Sequence, residues 1–263
     1  MVAAAALRRA RRPLAGLALC FAAASLWRGV GDVTFAQSAA ASAVQPAIDT
    51  LRGAVALGGA KRPDEQAVLS AILSIQRQRP TLNAEEPFFG KLSGGGREGG
   101  KRWRLVYLAT KNAVVSARKG VAPPSFFDRG WYVDGVVTAV QRFEDSPSRR
   151  VNQNGVFGLL GLGGFFFGYV ARFKWPSPQT RTTMAFQPLS NDVSAFGQTF
   201  SSPFSGFPAG PEGDGLFEAA RVQDLNIFNF FFVNDHVAVA QGASGSVAVW
   251  GATDPQWDSE HLG

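Results

Sequence analysis

Histidine, cysteine and paired carboxylates carry much of enzyme catalysis, and this 263-residue sequence offers few of them. It contains two histidines, His236 and His261, and one cysteine. One histidine in a predicted strand and one in the last residues cannot build a two-histidine metal site. Asp235 directly precedes His236, so on a strand their side chains lie on opposite faces. Because no nucleophile-elbow sequence accompanies His236, we predict no catalytic residue, no metal and no cofactor.

Two further patterns resemble reactive sites but fit loops better. Glu85–Glu86 and Glu144–Asp145 are adjacent acids rather than a separated general acid and base. Gly95–Lys101 has the spacing of a phosphate-binding loop. Arg102 stands where that loop needs Ser or Thr, and a strand rather than a helix is predicted to follow. We therefore exclude nucleotide binding at this loop.

The N-terminal residues 1–38 have the features of a cleaved targeting leader. The basic segment LRRARR is followed by the apolar segment PLAGLALCFAAASLW and then by small residues. A short membrane anchor is the alternative, although this apolar segment is short for a span. Without the leader the chain carries 21 basic and 19 acidic residues, so its high pI does not indicate a nucleic-acid partner. Cys20 leaves with the leader, which excludes disulfides and thiolate sites from the mature chain.

Two helices are predicted in a helical segment over residues 39–92. The first covers 45–57, with Pro46 in its first turn. The second covers 63–80 and has Asp64 as its N-cap. Its apolar residues recur at a spacing of three to four, which predicts one buried stripe: Val68, Leu69, Ile72 and Ile75.

From residue 101 onward the sequence alternates like strands separated by Gly, Pro, Asn and Ser. A run at 217–233 is ambiguous, 197–215 is predicted to be a loop, and 253–263 a C-terminal tail. Several short strands at this spacing predict a sandwich or barrel over 101–252. The strand segments are 102–109, 131–144, 165–175, 180–187 and a closing hairpin within 230–250 with GASG as its turn.

Aromatic residues are more frequent in these strands than a minimal barrel requires. Core packing explains many of them, and a cavity for one apolar ligand is the alternative. We predict that such a cavity would be lined by Trp103, Leu105, Tyr107, Phe143, Phe173, Phe186, Phe232, Val237 and Val239.

The order of several motifs resembles the plastid lipid-associated proteins, also called fibrillins. The segments TLRGAVAL, DEQAVLSAILSI and GKRWRLVYLAT are similar to that family's two helices and first strand. AVQRFE with RRVNQNGVF, and the closing FFFVNDHVAVAQGASGSVAVW, are similar to later strands. The resemblance covers residues 45–252. It implies a mainly β chain with a lipocalin-like antiparallel β-barrel preceded by one or two N-terminal α-helices.

The closing hairpin departs from the family pattern. Asn234 and His236 stand where the family usually has aspartates, and Ala238 and Gln241 where it has arginines. The resemblance implies that an arginine would pack over Trp103, and Gln241 cannot supply one. We expect a neutral polar rim made of Asn234, His236 and Gln241.

The resemblance implies a non-enzymatic plastid protein with an N-terminal transit peptide. It would bind or shield lipids, prenylquinones or carotenoids at chloroplast thylakoids or plastoglobules. Its partners would be a lipophilic small molecule or membrane lipid, with thylakoid membrane proteins as further partners and no nucleic acid. Two alternatives stay open. One is a structural subunit of a thylakoid membrane or pigment-protein complex, and the other is a barrel enzyme acting on a lipid or isoprenoid, with His236 or a carboxylate as base.

Overall fold

A computed structural model describes most of the chain after the predicted leader. The chain divides into two compact units, residues 1–39 and 40–263. Residues 1–27 lie outside the described part, as do Glu85–Glu86 and the phosphate-loop-like segment up to residue 100. The described residues are 28–57, 61–82, 88–93, 101–134, 136–146, 149–159, 165–174, 182–195, 198–203 and 206–261.

Helices precede the sheet, as predicted, but their bounds differ from those predicted. The helices before the sheet are α1 (Arg28–Val55), α2 (Glu65–Leu82) and α3 (Phe88–Ser93). Three more lie between or after strands: α4 (Lys111–Lys119), α5 (Pro211–Ala219) and α6 (Pro255–His261). The predicted start of the first helix at residue 45 is wrong. The alanine-rich segment before it has high helix propensity and belongs to α1. Pro46 therefore lies inside the helix rather than in its first turn.

The second predicted helix is confirmed. Asp64 Oδ1 accepts a hydrogen bond from the Ala67 amide at 2.8 Å, which caps α2 as expected. Its predicted stripe of Val68, Leu69, Ile72 and Ile75 is buried.

Helix α4 was not predicted, although both of its ends carry clear sequence signals. Thr110 Oγ1 accepts a hydrogen bond from the Ala113 amide at 3.1 Å at its start. Gly120 ends it with a φ of 68°, the left-handed conformation that glycine adopts without strain.

The chain is mainly β, as predicted, with one large antiparallel sheet of ten described strands. The strands are β1 (Arg102–Ala109), β2 (Gly130–Tyr132), β3 (Val137–Ser146), β4 (Arg149–Leu159), β5 (Phe165–Lys174), β6 (Thr183–Ala195), β7 (Gln198–Pro203), β8 (Asn226–Val233), β9 (Val237–Gly242) and β10 (Val247–Ala252). Their order in the sheet is β10-β9-β8-β6-β5-β4-β3-β1-β2, and β7 pairs with β6.

Strand β1 forms ladders on both of its edges. On one edge it pairs with β10, from Trp103 opposite Ala252 to Ala109 opposite Val247. On the other edge its first residues pair with β3 and its last residues with β2. The first and last strands of the β10-to-β1 series are therefore hydrogen-bonded to each other.

Several strand predictions need correction. The predicted strand 131–144 is two strands, β2 and β3, which pair with different parts of β1, and β3 also includes the Glu144–Asp145 pair that was predicted to lie in a loop. The predicted loop 197–215 contains β7 and most of α5, and β6 continues well past residue 187. The closing hairpin is confirmed as β9 and β10.

One face of the sheet packs against helices and is called the helix face below. The side chains of α1, α2 and α4 pack there against valines of the closing hairpin, Val237, Val239, Val247 and Val249. A side chain at Gly251 would lie 2.8 Å from Val55, so glycine at this position permits the close approach of α1. We call the opposite face, which holds a second buried cluster, the cavity face.

None of the helices in the described part of the chain is long and apolar enough to cross a membrane.

Candidate ligand-binding site

The predicted lining residues fall on both faces of the sheet. Five of them lie on the cavity face: Trp103, Leu105, Phe143, Phe173 and Phe186. The other four lie on the helix face and pack against helices: Tyr107, Phe232, Val237 and Val239. The structure therefore does not bring the nine residues together, and the placement of these last four in a ligand cavity is wrong.

Register shifts explain two of these errors. The β1–β10 ladder shifts between Leu105 and Tyr107, so strict alternation from Trp103 fails at that point. Such an irregularity moves the following side chain to the other face. Tyr107 accordingly points to α2, where its hydroxyl donates to the Glu65 carbonyl at 2.9 Å. A similar shift between Phe230 and Phe232 places Phe232 on the helix face.

The cavity face contains an apolar cavity of about 280 Å³ between strands of the sheet. Small side chains leave room for it, including Ala139, Ala248 and Gly155. Of the nine predicted residues, only Leu105 lines it. The remaining lining residues are Leu108, Val140, Gln141, Phe167, Tyr169, Phe228 and Trp250.

The alternation in the closing hairpin contains a signal for this cavity. In β9 and β10 valine alternates with alanine, and the prediction places the ligand on the valine face. Large β-branched residues fill space, whereas alanine leaves it. The alanines Ala238, Ala240 and Ala248 lie on the cavity face. The alanine face, where small side chains meet aromatic residues, therefore predicts a cavity better than the valine face does.

Beside the cavity, the cavity face is filled by aromatic rings. The Phe228 ring stacks on Phe186 at 4.9 Å and meets Trp250 edge-on at 5.9 Å. The Phe230 ring lies 6.0 Å from Phe143. These centroid distances are typical of favourable aromatic pairs. Phe143 and its neighbours thus form a packed wall rather than the cavity lining that we predicted.

Trp103 belongs to this packed wall and is 1% exposed. Its indole Nε1 donates to the Leu92 carbonyl at 2.8 Å, which attaches α3 to the sheet. The Lys101 ammonium lies 4.7 Å from the centre of the Trp103 ring. The cation over this tryptophan, which Gln241 cannot provide, is therefore supplied by Lys101 two residues earlier.

The predicted polar rim does not surround the cavity. Asn234 Oδ1 accepts hydrogen bonds from the His236 and Val237 amides, at 2.9 and 2.8 Å, and so organises the turn between β8 and β9. Gln241 lies beside α2, where its side chain accepts from Gln76 at 3.2 Å. Neither Asn234, His236 nor Gln241 lines the cavity. These residues support the hairpin and are not a ligand anchor.

A charged network lies beside the end of α1. Arg62 makes two hydrogen bonds to the Asp134 carboxylate, at 2.8 and 2.7 Å. Arg104, only 3% exposed, donates to the same carboxylate and to the Val55 carbonyl. Burial lowers the pKa of Arg104 despite the nearby Asp134. The network ties α1 to β1, which is a structural role.

The histidines are not positioned for shared chemistry. His236 is exposed in the β8–β9 turn. The His261 ring stacks on Trp257 at 4.4 Å in α6, and its Nδ1 donates to the Trp257 carbonyl. Among the described residues, no three His, Cys, Asp or Glu side chains are grouped as a metal site requires.

No protein-family model matches the chain, and a search of curated proteins finds no match. The resemblance to plastid lipid-associated proteins therefore stays a prediction.

Proposed function

We propose that this protein is a non-enzymatic binding protein for an apolar small molecule. The observation that carries the proposal is the cavity of about 280 Å³, whose walls are almost entirely aliphatic and aromatic. Its volume is slightly below the usual range of ligand pockets, about 300–1,000 Å³. Burial of apolar surface there would drive binding without any charged anchor.

We also propose that the strands form the lipocalin-like barrel that the resemblance implies. The ladder between β1 and β10 supports this, because it joins the two ends of an eight-strand series from β10 through β3 to β1. A barrel of about eight strands is wide enough to hold one small ligand. The cavity is lined by residues of β1, β3, β4, β5, β8 and β10, which agrees with an interior site.

The surface between α4 and β2 supports a location at a lipid surface, such as a thylakoid or plastoglobule. We call residues 120–129 the Phe-Phe loop. Phe126 and Phe127 are 68% and 80% exposed there. The Arg129 guanidinium lies 3.8 Å from the centre of the Phe126 ring. Exposed aromatic rings beside cations are typical of segments that enter the interface of an anionic membrane.

The same loop favours the second candidate, an interaction subunit of a membrane or pigment complex. Exposed apolar patches mark protein contacts as well as membrane contacts. The two candidate functions make different predictions for the cavity, because an interaction subunit does not need to bind a ligand there. Ligand binding by the isolated protein therefore distinguishes them.

Displacement of a fluorescent probe tests the proposal. The full chain is saturated with anilinonaphthalene sulfonate and titrated with geraniol, a short prenyl alcohol. We expect geraniol to displace the probe in a saturable manner. Probe fluorescence that does not respond to geraniol, while the protein remains folded by circular dichroism, would count against the proposed function.

A further inference from the structure

We propose that the outer part of the β6–β7 hairpin, residues 190–195 and 198–203, continues the cavity as a groove for a linear hydrocarbon chain. This inference rests on the proposed function and specifies its ligand as a molecule with a prenyl or acyl chain longer than the cavity.

The strand register connects the hairpin to the cavity. Phe167 of β5 lines the cavity. It pairs directly with Val193 of β6, and Val193 pairs directly with Phe200 of β7. Directly opposed residues in an antiparallel ladder point to the same face. Val193 and Phe200 therefore continue the cavity face outward over two strand spacings, about 10 Å.

The other face of the hairpin is polar. The residues that alternate with Val193 and Phe200 are polar. Ser194 and Thr199 form a direct pair whose hydroxyls are 2.6 Å apart. Asp192 lies opposite Ser201 in the same way. Such alternation is typical of a strand pair with one face in water and one face against an apolar group.

The aromatic residues at the two ends of this row are exposed and therefore accessible to an apolar group. Phe167 is 39% exposed and Phe200 is 66% exposed. The register aligns Phe167, Val193 and Phe200 in one row that starts at the cavity wall. A cavity of about 280 Å³ would hold one end of a long chain, and the row from Phe167 to Phe200 would cover the next part.

The shape of the apolar surface selects a single chain rather than a broad partner. On the same face, the next row inward contains Asn191 opposite Ser202. The next row outward ends at Gln198, opposite Ala195. Rows on one face are about 7 Å apart. On the hairpin, the row from Val193 to Phe200 thus has Asn191, Ser202 and Gln198 beside it, which suits one extended hydrocarbon chain.

The test compares ligands that differ only in chain length. Geraniol, farnesol and geranylgeraniol each displace the fluorescent probe from the full chain, and octanol and hexadecanol form a second arm that separates prenyl from acyl chains. In the wild type, affinity should rise with chain length in at least one arm. Phe200→Ser should weaken the longest ligand of that arm about tenfold and the shortest less than about twofold, since only the longest chain loses the burial of its outer carbons against Phe200.

The neighbouring Ser201→Ala variant is the matched control, because its side chain points to the polar face. It should leave the whole series unchanged. Val193→Thr tests the same row with a side chain of similar shape and should act like Phe200→Ser. If wild-type affinity is independent of chain length in both arms, or if Phe200→Ser leaves the longest ligand's affinity unchanged, the groove is refuted while cavity binding stands.

Two other results would also overturn the groove. A second copy could cover the row instead, and then Phe200→Ser would dissociate a dimer in gel filtration without altering the chain-length series. If the wild type binds none of the alcohols, the proposed function itself fails.

Discussion

Ala248→Leu is the substitution that most directly examines whether the space beside β10 is hollow. Ala248 lines the cavity and is paired with Leu108 of β1. Leucine adds three carbons, which contribute about 2.4 kcal/mol if they enter space that is now empty. Ordering the leucine side chain costs about 0.5–1 kcal/mol. The free energy of unfolding should therefore rise by about 1.5–2 kcal/mol.

The same substitution should weaken geraniol binding, because the added side chain occupies the ligand volume. Urea denaturation measures the stability change, with an unchanged m-value as evidence that the folded state is intact. Probe displacement measures binding. Higher stability together with weaker binding is the expected pair of results.

Val249→Phe is the control for this variant. Val249 is the next residue of β10, but it lies on the helix face and is fully buried. An added ring has no cavity there, so overpacking should lower the free energy of unfolding by about 1–3 kcal/mol. Geraniol binding should be unchanged. If Ala248→Leu is instead destabilising by a similar amount and geraniol binding is unaffected, the space beside Ala248 is not a ligand-binding cavity.

Three further variants test the charged network, a buried tyrosine and the Phe-Phe loop. Asp134→Asn should lower the free energy of unfolding by about 3 kcal/mol in urea denaturation, because it leaves the buried Arg104 without its carboxylate. Burial raises the pKa of Tyr107, so above pH about 10 only the unfolded state loses this proton. Stability should therefore fall as pH rises beyond that value, and Tyr107→Phe should make the fall in urea titrations shallower. Replacing both Phe126 and Phe127 by serine should reduce co-sedimentation with vesicles containing anionic lipid, without affecting geraniol binding.

Each of these variants has a control or a contradicting result. Asp224→Asn removes an exposed pair with Arg221 and should leave the free energy of unfolding nearly unchanged. If Asp134→Asn changes stability no more than Asp224→Asn does, burial of the charged network does not contribute to its stabilising effect. If stability falls as steeply above pH about 10 in Tyr107→Phe as in the wild type, Tyr107 does not cause the loss of stability at alkaline pH. Vesicle binding that survives the double serine substitution would place the lipid contact elsewhere.

The sequence predicts strand β1 well because its alternation is strong, and the bounds Arg102–Ala109 are confirmed. The shift between Leu105 and Tyr107 has no comparable signal, since a bulge depends on how two distant strands meet. The same limit applies to Phe232. The local sequence pattern predicts that a strand is present. The face on which each of its side chains lies depends on how that strand pairs with its neighbours.

The cavity was partly predictable from the sequence. Aromatic enrichment indicates an apolar core and permits a ligand site. Whether side chains fill the space or leave it empty depends on which small residues meet across strands, such as Gly155, Ala139 and Ala248. These residues are far apart in sequence. The charged network of Arg62, Arg104 and Asp134 joins distant segments in the same way and has no local motif.

Analysis of the bound small molecule tests the central claim most directly. The wild type and Ala248→Leu are purified in parallel from the native source or after incubation with its lipid extract, and each is extracted with organic solvent for mass spectrometry. We predict an apolar compound in near-stoichiometric amount with the wild type and strong depletion of that compound in the variant. Equal amounts in both proteins, or no apolar compound with the wild type, would contradict the proposal that this cavity is a ligand-binding site.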